Sequence, residues 1–276
     1  MDYLSFSFSF PEDWQKEILI AHLSDIGFGG FQEETYNTIA FIPVSDFYQA
    51  DFDQCIQLMQ QYFPVHYVRH VIPYQNWNAL WEKNFQPIVI GEEIVVRASF
   101  HLKIPVVKHD IVIDPKMAFG TGHHETTAMM LRMMLQENFT NKKVLDFGTG
   151  TGILSILASR LGASEILAID NDNHATDNAK ENIFLNNILN ARVIHGGIDS
   201  LKENKFDIIL ANINREVIIH SIENLAKSLN NQGALFLSGF YNNDMGAILH
   251  KTSFYQLQLT DKFTENNWIA MQLKSK

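Results

Sequence analysis

The sequence predicts an α/β protein: a seven-stranded, mostly parallel sheet in the larger C-terminal part of the chain, preceded by a small α+β unit. Three observations carry the prediction. From Lys143 onward, short apolar runs alternate with helical stretches, the pattern of a parallel sheet covered on both faces. Within that pattern, residues 144–154 (Val-Leu-Asp-Phe-Gly-Thr-Gly-Thr-Gly-Ile-Leu) read as a buried strand, a sharp glycine turn and the first turn of a helix. Residues 1–73 read in the order β-α-β-β-α-β, which is that of a ferredoxin-like unit.

Residues 4–10 alternate apolar and small polar side chains, a period of two that gives a strand one buried face. Pro11 opens a helix to about residue 26, with Trp14, Ile18, Leu23 and Ile26 near helical spacing, and Gly27, Gly29 and Gly30 break it. Short strands follow near 28–32 and 35–42, then a helix over about 47–63 and a strand over 65–72. Residues 1–73 thus make the expected first domain. Residues 74–87 read as a linker helix, with Trp77, Leu80, Trp81 and Phe85 along one side as a packing surface that docks the domains.

The second domain, 88–276, opens with β-like runs near 88–90, 94–97 and 111–113. A polar stretch, 114–127, carries Gly120, Gly122, several hydroxyls and His123-His124-Glu125, ahead of a helical run from 128 to about 136. Adjacent residues point in different directions, so these three do not converge on one ion and no metal is expected. Seven strands follow near 143–147, 165–170, 191–195, 207–211, 233–238, 255–260 and 268–273, with helices near 153–161, 174–188, 215–229 and 242–250. The last two strands lack a helix between them and read as an antiparallel hairpin.

Composition narrows the class. The chain has 276 residues, 46% apolar and 19% charged, which is globular usage rather than disorder. No apolar run approaches the roughly 20 residues needed to cross a bilayer, and the first residues lack the basic and apolar regions of a signal peptide. Cys55 is the only cysteine, which excludes a disulfide framework and a multi-cysteine zinc site. The expected location is the cytoplasm. Net charge is −10, of which the first 73 residues carry −8, with ten acidic residues against Lys16 and Arg69. That face either solvates the protein or attracts a basic partner. Direct nucleic-acid binding is not expected, because phosphate contact needs clustered Lys and Arg.

The glycine turn points to a cofactor. Missing Cβ atoms let backbone approach a ligand, and a helix N-terminus offers unpaired N–H groups. Such a turn lies at the carboxyl end of a strand, where open α/β sheets bind ligands. A dinucleotide fingerprint asks for a third Gly or Ala, yet Ile153 or Ser155 falls there, depending on which glycine starts the count. What is present is Asp-x-Gly-x-Gly-x-Gly from Asp146, which resembles motif one of the S-adenosylmethionine-dependent methyltransferases. A carboxylate at the turn suits a ligand with an ammonium and a sulfonium, and would be poor beside a pyrophosphate. Asp170 ends the next strand, 22 residues after Gly148, placed either to accept ribose hydroxyls or to cap the following helix. Asn212 ends a later strand in Asn212-Ile213-Asn214, where amino-methyltransferases place an oxygen that holds the acceptor nitrogen.

Three segments together resemble one family. They are Asp114-Pro115 with Phe119-Gly120-Thr121-Gly122-His123 and Thr126-Thr127; Val144 to Leu154; and Ala211-Asn212-Ile213. They are similar to the bacterial ribosomal-protein methyltransferases of the PrmA family, which act on protein eleven of the large ribosomal subunit. Asn76-Trp77, Trp81, Phe85 and Pro87 fit as well. The resemblance covers nearly the whole chain and implies a seven-stranded Rossmann-like S-adenosylmethionine methyltransferase domain behind a substrate-recognition domain. It implies that Thr127, Gly148, Asp170 and Asn212, with Gly150 of the same turn, contact S-adenosylmethionine. It also implies methylation of lysine ε-amines and of the N-terminal α-amine of a basic ribosomal protein. Asn212 is the candidate for steering the acceptor nitrogen. Two positions depart from the family's usual pattern: His124-Glu125 stands where a His-Pro pair is usual, which bears on loop rigidity, and Asn214 replaces a leucine, which bears on the acceptor pocket. The alternatives are a nicotinamide-dependent dehydrogenase, a non-catalytic ribosome-associated binder, and a methyltransferase acting on a small-molecule amine.

Overall fold

The computed structural model describes residues 2–275 except 11, 34–36, 74–85, 106, 115, 117 and 202–203. The linker helix expected over 74–87 lies outside the described residues, apart from Gln86 and Pro87. The chain divides into two units, Met1–Asn84 and Phe85–Lys276. No helix among the described residues is long and apolar enough to cross a membrane.

The first unit runs β1 (Tyr3–Ser9), α1 (Asp13–Asp25), β2 (Gly30–Glu33), β3 (Asn37–Pro43), α2 (Gln49–Met59) and β4 (Tyr67–Ile72). Its sheet has the order β2-β3-β1-β4, and the pairs are antiparallel. The alternation of β1 sends Leu4, Phe6 and Phe8 to one core with Leu19, Leu23, Phe52 and Met59. Full burial of side chains this size contributes about 1.5–3 kcal/mol each. The inward face of α1 differs from the expected one. Leu19 and Leu23, one turn apart, are buried, whereas Ile18 and Ile26 are partly buried and Trp14 is 49% exposed. Trp14 instead sets its ring edge-on to Phe63 at the helix start.

The second unit begins with β5 (Ile88–Ile90), β6 (Ile94–Arg97) and β7 (His109–Val112), a small sheet of its own. There follow α3 (Glu125–Met134), β8 (Lys143–Phe147), α4 (Ile153–Arg160), β9 (Glu165–Asp170), α5 (Asn173–Leu185), β10 (Ala191–His195), β11 (Phe206–Asn212), α6 (Arg215–Ser228), β12 (Leu229–Tyr241), α7 (Met245–Ser253), β13 (Leu257–Glu265) and β14 (Trp268–Ser275). Helix α3 starts three residues before the expected position, because the His124 ring accepts the Thr126 N–H at 3.3 Å and caps it.

The main sheet has the order β10-β9-β8-β11-β12-β14-β13. Strands β8 to β12 pair in parallel, and β14 runs antiparallel between β12 and β13. Successive residues of β11 serve opposite faces. Ile208 and Leu210 join a core with the α3 methionines and α4, while Ile209 and Ala211 join one with α6 and α7. Both faces are therefore covered, as the apolar runs predict. The order reverses between β8 and β11, which lie side by side, and a crevice opens where the chains leave a sheet at such a point.

Candidate active site

A cavity of about 610 Å³ lies at the carboxyl ends of β8, β9 and β11, lined by Gly148, Gly150, Asp170 and Asn212 among others. The glycine turn forms one wall. Gly150 has φ +55, and a Cβ there would lie 2.3 Å from the Phe119 carbonyl oxygen, so only glycine fits. The same carbonyl accepts the Thr151 N–H at 3.0 Å, and Thr151 Oγ1 donates to the Gly120 carbonyl at 2.5 Å. The 119–122 segment is thereby pinned onto the turn.

The turn's N–H groups are taken, contrary to the expectation that they are free. Gly148 and Thr149 donate to the Ile169 carbonyl (2.8 and 3.0 Å), Gly150 to Asp170 Oδ2 (2.9 Å), Thr151 to Phe119 and Gly152 to Thr149 (2.9 Å). A pyrophosphate would find no backbone donor from 148 to 152 and a carboxylate alongside. That disfavours the nicotinamide-dependent alternative.

Asp146 also departs from expectation. It is buried and turned away from the cavity side of the turn: Oδ2 accepts Thr149 Oγ1 (2.7 Å), Ser155 Oγ (2.7 Å) and the Ser155 N–H (3.1 Å). Burial pushes its carboxyl up to about 6, against the opposing pull of those hydrogen bonds. The residue braces the turn from behind rather than facing a cation.

Asp170 stands half-buried at the end of β9, with Oδ2 on Gly150 and Oδ1 accepting the Asp172 N–H at 3.1 Å. The capping role falls to Asp172, whose side chain accepts the His174 N–H at the start of α5. Each Asp170 oxygen keeps acceptor capacity. Asn212 ends β11. Its Nδ2 donates to Thr127 Oγ1 at 3.2 Å, and its Oδ1 is buried with no partner among the described residues. Buried acceptors are rarely left bare; Asp146 Oδ1 is bare too, but of the two residues Asn212 lines the cavity, so its oxygen is the one open to a ligand donor. Thr127 is itself buried and reaches the site through Asn212.

The two departures have structural partners. Asn214 Oδ1 accepts the Val217 N–H at 3.0 Å and caps α6, and Asn214 also lines the cavity. Glu125 Oε1 accepts from Asn266 Nδ2 at 3.0 Å, a bond that lowers its carboxyl pKa. His123 Nε2 lies 3.0 Å from the Gln86 carbonyl, whereas His124 Nδ1 lies 2.8 Å from Thr126 Oγ1. The sequence reading singles out the polar stretch that supplies Phe119 and His124 to the cavity, but misses Trp268, which also lines it, and Tyr241, which stacks on Trp268. Trp268 and Tyr241 lie more than a hundred residues from that stretch, on two further strands, so no local spacing joins them to it.

A sheet with one reversed strand set between its last two, and a braced glycine turn beside an acidic strand end, define a methyltransferase of the seven-stranded α/β class. The solved structure of a ribosomal protein L11 methylase from Lactobacillus delbrueckii subsp. bulgaricus matches with a TM-score of 0.65 and 29% identity, over 70% of this chain and all of that one. The ribosomal protein L11 methyltransferase (PrmA) family profile matches residues 29–276. Ribosomal protein L11 methyltransferases of Porphyromonas gingivalis and Phocaeicola vulgatus are 38% and 37% identical, over 99% of this chain and 97% and 99% of theirs. The chain belongs to this family.

Proposed function

We propose that the chain transfers methyl groups from S-adenosylmethionine to lysine ε-amines and the N-terminal α-amine of ribosomal protein L11. The observation that carries this reading is the bare Asn212 Oδ1, buried in a cavity whose glycine turn has no N–H left for a phosphate. When bound, S-adenosylmethionine supplies a methyl group activated by its sulfonium. Gly148 and Gly150, whose side-chain positions are filled by Ile213 and Phe119, present the backbone wall against which the donor lies, and the remaining lone pairs of Asp170 accept its ribose hydroxyls. Asn212, held by Thr127, orients the acceptor nitrogen. A lysine ammonium of pKa about 10.4 must first lose its proton, which burial beside a positive charge promotes and water can accept. No side chain is then needed as an obligatory base. Positioning and exclusion of water are the main sources of acceleration, and such effects reach about 7–11 kcal/mol.

Residues 1–73 serve in this reading as the substrate-recognition domain, and their net charge of −8 suits a basic ribosomal protein. Incubating the purified protein with labelled donor and ribosomal protein L11, followed by intact-mass analysis, tests the proposal. Mass gains in steps of one methylene, confined to amines, are expected. An unlabelled substrate, under conditions where calorimetry shows S-adenosylhomocysteine bound, would overturn it.

A further inference from the structure

Phe119, His124 and Trp268 line the cavity, and Tyr241 backs Trp268 from outside the lining. Phe119 and His124 meet edge to face at 5.2 Å between centroids, and His124 and Trp268 do so at 4.8 Å. Tyr241 and Trp268 stack at 4.1 Å, a contact the sheet imposes, because they are register partners across β12 and β14. Trp268 follows a tight turn in which Asn266 and Asn267 take φ +46 and +68. That turn is fastened to the start of α3 by the Asn266–Glu125 hydrogen bond, and two turns further along α3 Arg132 pairs with Glu265. The ring wall is thus held from two sides. Glu125 places a carboxylate 3.8 Å from the His124 ring nitrogen.

We propose that Phe119, His124 and Trp268 form the acceptor subsite and that it prefers alkylated amines, with Tyr241 and Glu125 as the residues that position it. The assignment rests on the function proposed above and deepens it. Aromatic faces attract ammonium cations, and methylated ammonium most readily, because its diffuse charge is weakly hydrated. In each round the amine lone pair bonds the methyl carbon, and the carbon–sulfur bond breaks with its electron pair left on sulfur. Positive charge thus moves onto nitrogen, facing the rings, and the product ammonium loses a proton to water before a further round. A wall that holds mono- and dimethylated amines favours their return for another methyl group.

The test uses the full chain without donor, and a lysine peptide carrying zero, one, two or three methyl groups on its ε-nitrogen. Calorimetry with the unmodified protein is expected to show tighter binding as methyl groups are added. Trp268→Leu and Tyr241→Leu should reduce the preference for the trimethylated over the unmethylated peptide by about five- to thirty-fold, whereas Trp268→Phe retains most of it. Tyr241 is half exposed, so its variant stands if Trp268→Leu fails to fold. Glu125→Gln should reduce the preference by a smaller factor and, with donor added, raise the share of monomethylated product. Equal affinity of the unmodified protein for all four peptides, or an unchanged preference in both leucine variants, overturns the subsite. Failure of the unmodified protein to methylate any amine while the peptide preference stands would sink the proposed activity and leave the subsite in place.

Discussion

Strands β8 and β11 are hydrogen-bonded neighbours, and both end at the cavity, but they end differently. Beyond β8, every backbone donor from Gly148 to Gly152 is paired, and the Asp146 carboxylate ties the turn from behind. At the end of β11, Asn212 holds a buried acceptor with no partner among the described residues. The first end closes its backbone donors on itself, and the atom it leaves bare, Asp146 Oδ1, belongs to a residue that does not line the cavity. The second has unused hydrogen-bonding capacity, which a ligand must satisfy. In this site the fingerprint glycines and the bare polar atom that lines the cavity are therefore different features, one strand apart.

The sharpest way to break the scaffold end is Gly150→Ala. The added Cβ meets a backbone oxygen that cannot rotate away, at a φ that L-residues disfavour. Together these should cost about 2–4 kcal/mol and displace the 119–122 segment. Thermal unfolding should show a clear drop in Tm, with S-adenosylhomocysteine affinity lost in parallel. Wild-type Tm and affinity in this variant would mean that the turn is not closed as described.

Asp146 gives the scaffold a pH dependence of nearly the same size. Its folded-state pKa is raised to about 6, so between about pH 4 and 6 the native protein holds a proton that the unfolded chain releases. The stability this confers is complete below about pH 4 and lost as pH rises through about 6. At about 1.4 kcal/mol per pKa unit, the change is about 2–3 kcal/mol. Asp146→Asn removes the titration. Urea unfolding from pH 4 to 7 should show wild type losing stability relative to the variant across that window, and a constant difference would place the carboxyl's pKa at its ordinary value.

At the end of β11 the expected effect is on turnover. Asn212→Ala removes the bare acceptor and should lower kcat/KM about a hundredfold, or about 2.7 kcal/mol, with a smaller loss of S-adenosylhomocysteine affinity. If both quantities survive the substitution, Asn212 has no role in holding either ligand.

The same contrast separates what the sequence shows from what it hides. The turn, its position at a strand's carboxyl end and the acidic end of β9 are legible, because each is encoded within a few consecutive residues. So is the terminal hairpin, from two strands without a helix between them. The direction of Asp146 is not legible: β8 is apolar on both faces, so no alternation shows which side a residue takes. Nor is the closing of the turn, since the acceptor for Thr151 is a carbonyl 32 residues earlier. The ring wall is hidden for the same reason, because sheet register brings Tyr241 to Trp268. The face of α1 shows the limit of periodicity, since a shift of one position replaces Ile18 with Leu19 in the core.

The smallest expected effect is also the one that tests how the two strand ends work with α3. Thr127 is buried and touches the site only by accepting from Asn212 Nδ2 at 3.2 Å. Thr127→Val keeps the volume and removes the acceptor, leaving the Asn212 amide without a fixed orientation. A hydrogen bond of this kind is worth about 1 kcal/mol, so kcat should fall about fivefold with little change in Tm. If Thr127 acts through Asn212, the loss should vanish where Asn212 is already alanine, because nothing remains to be oriented. The double variant Thr127→Val/Asn212→Ala should then be no slower than Asn212→Ala alone, which a double-mutant cycle reads directly. Additive losses would instead mean that the Thr127 hydroxyl meets the ligand itself.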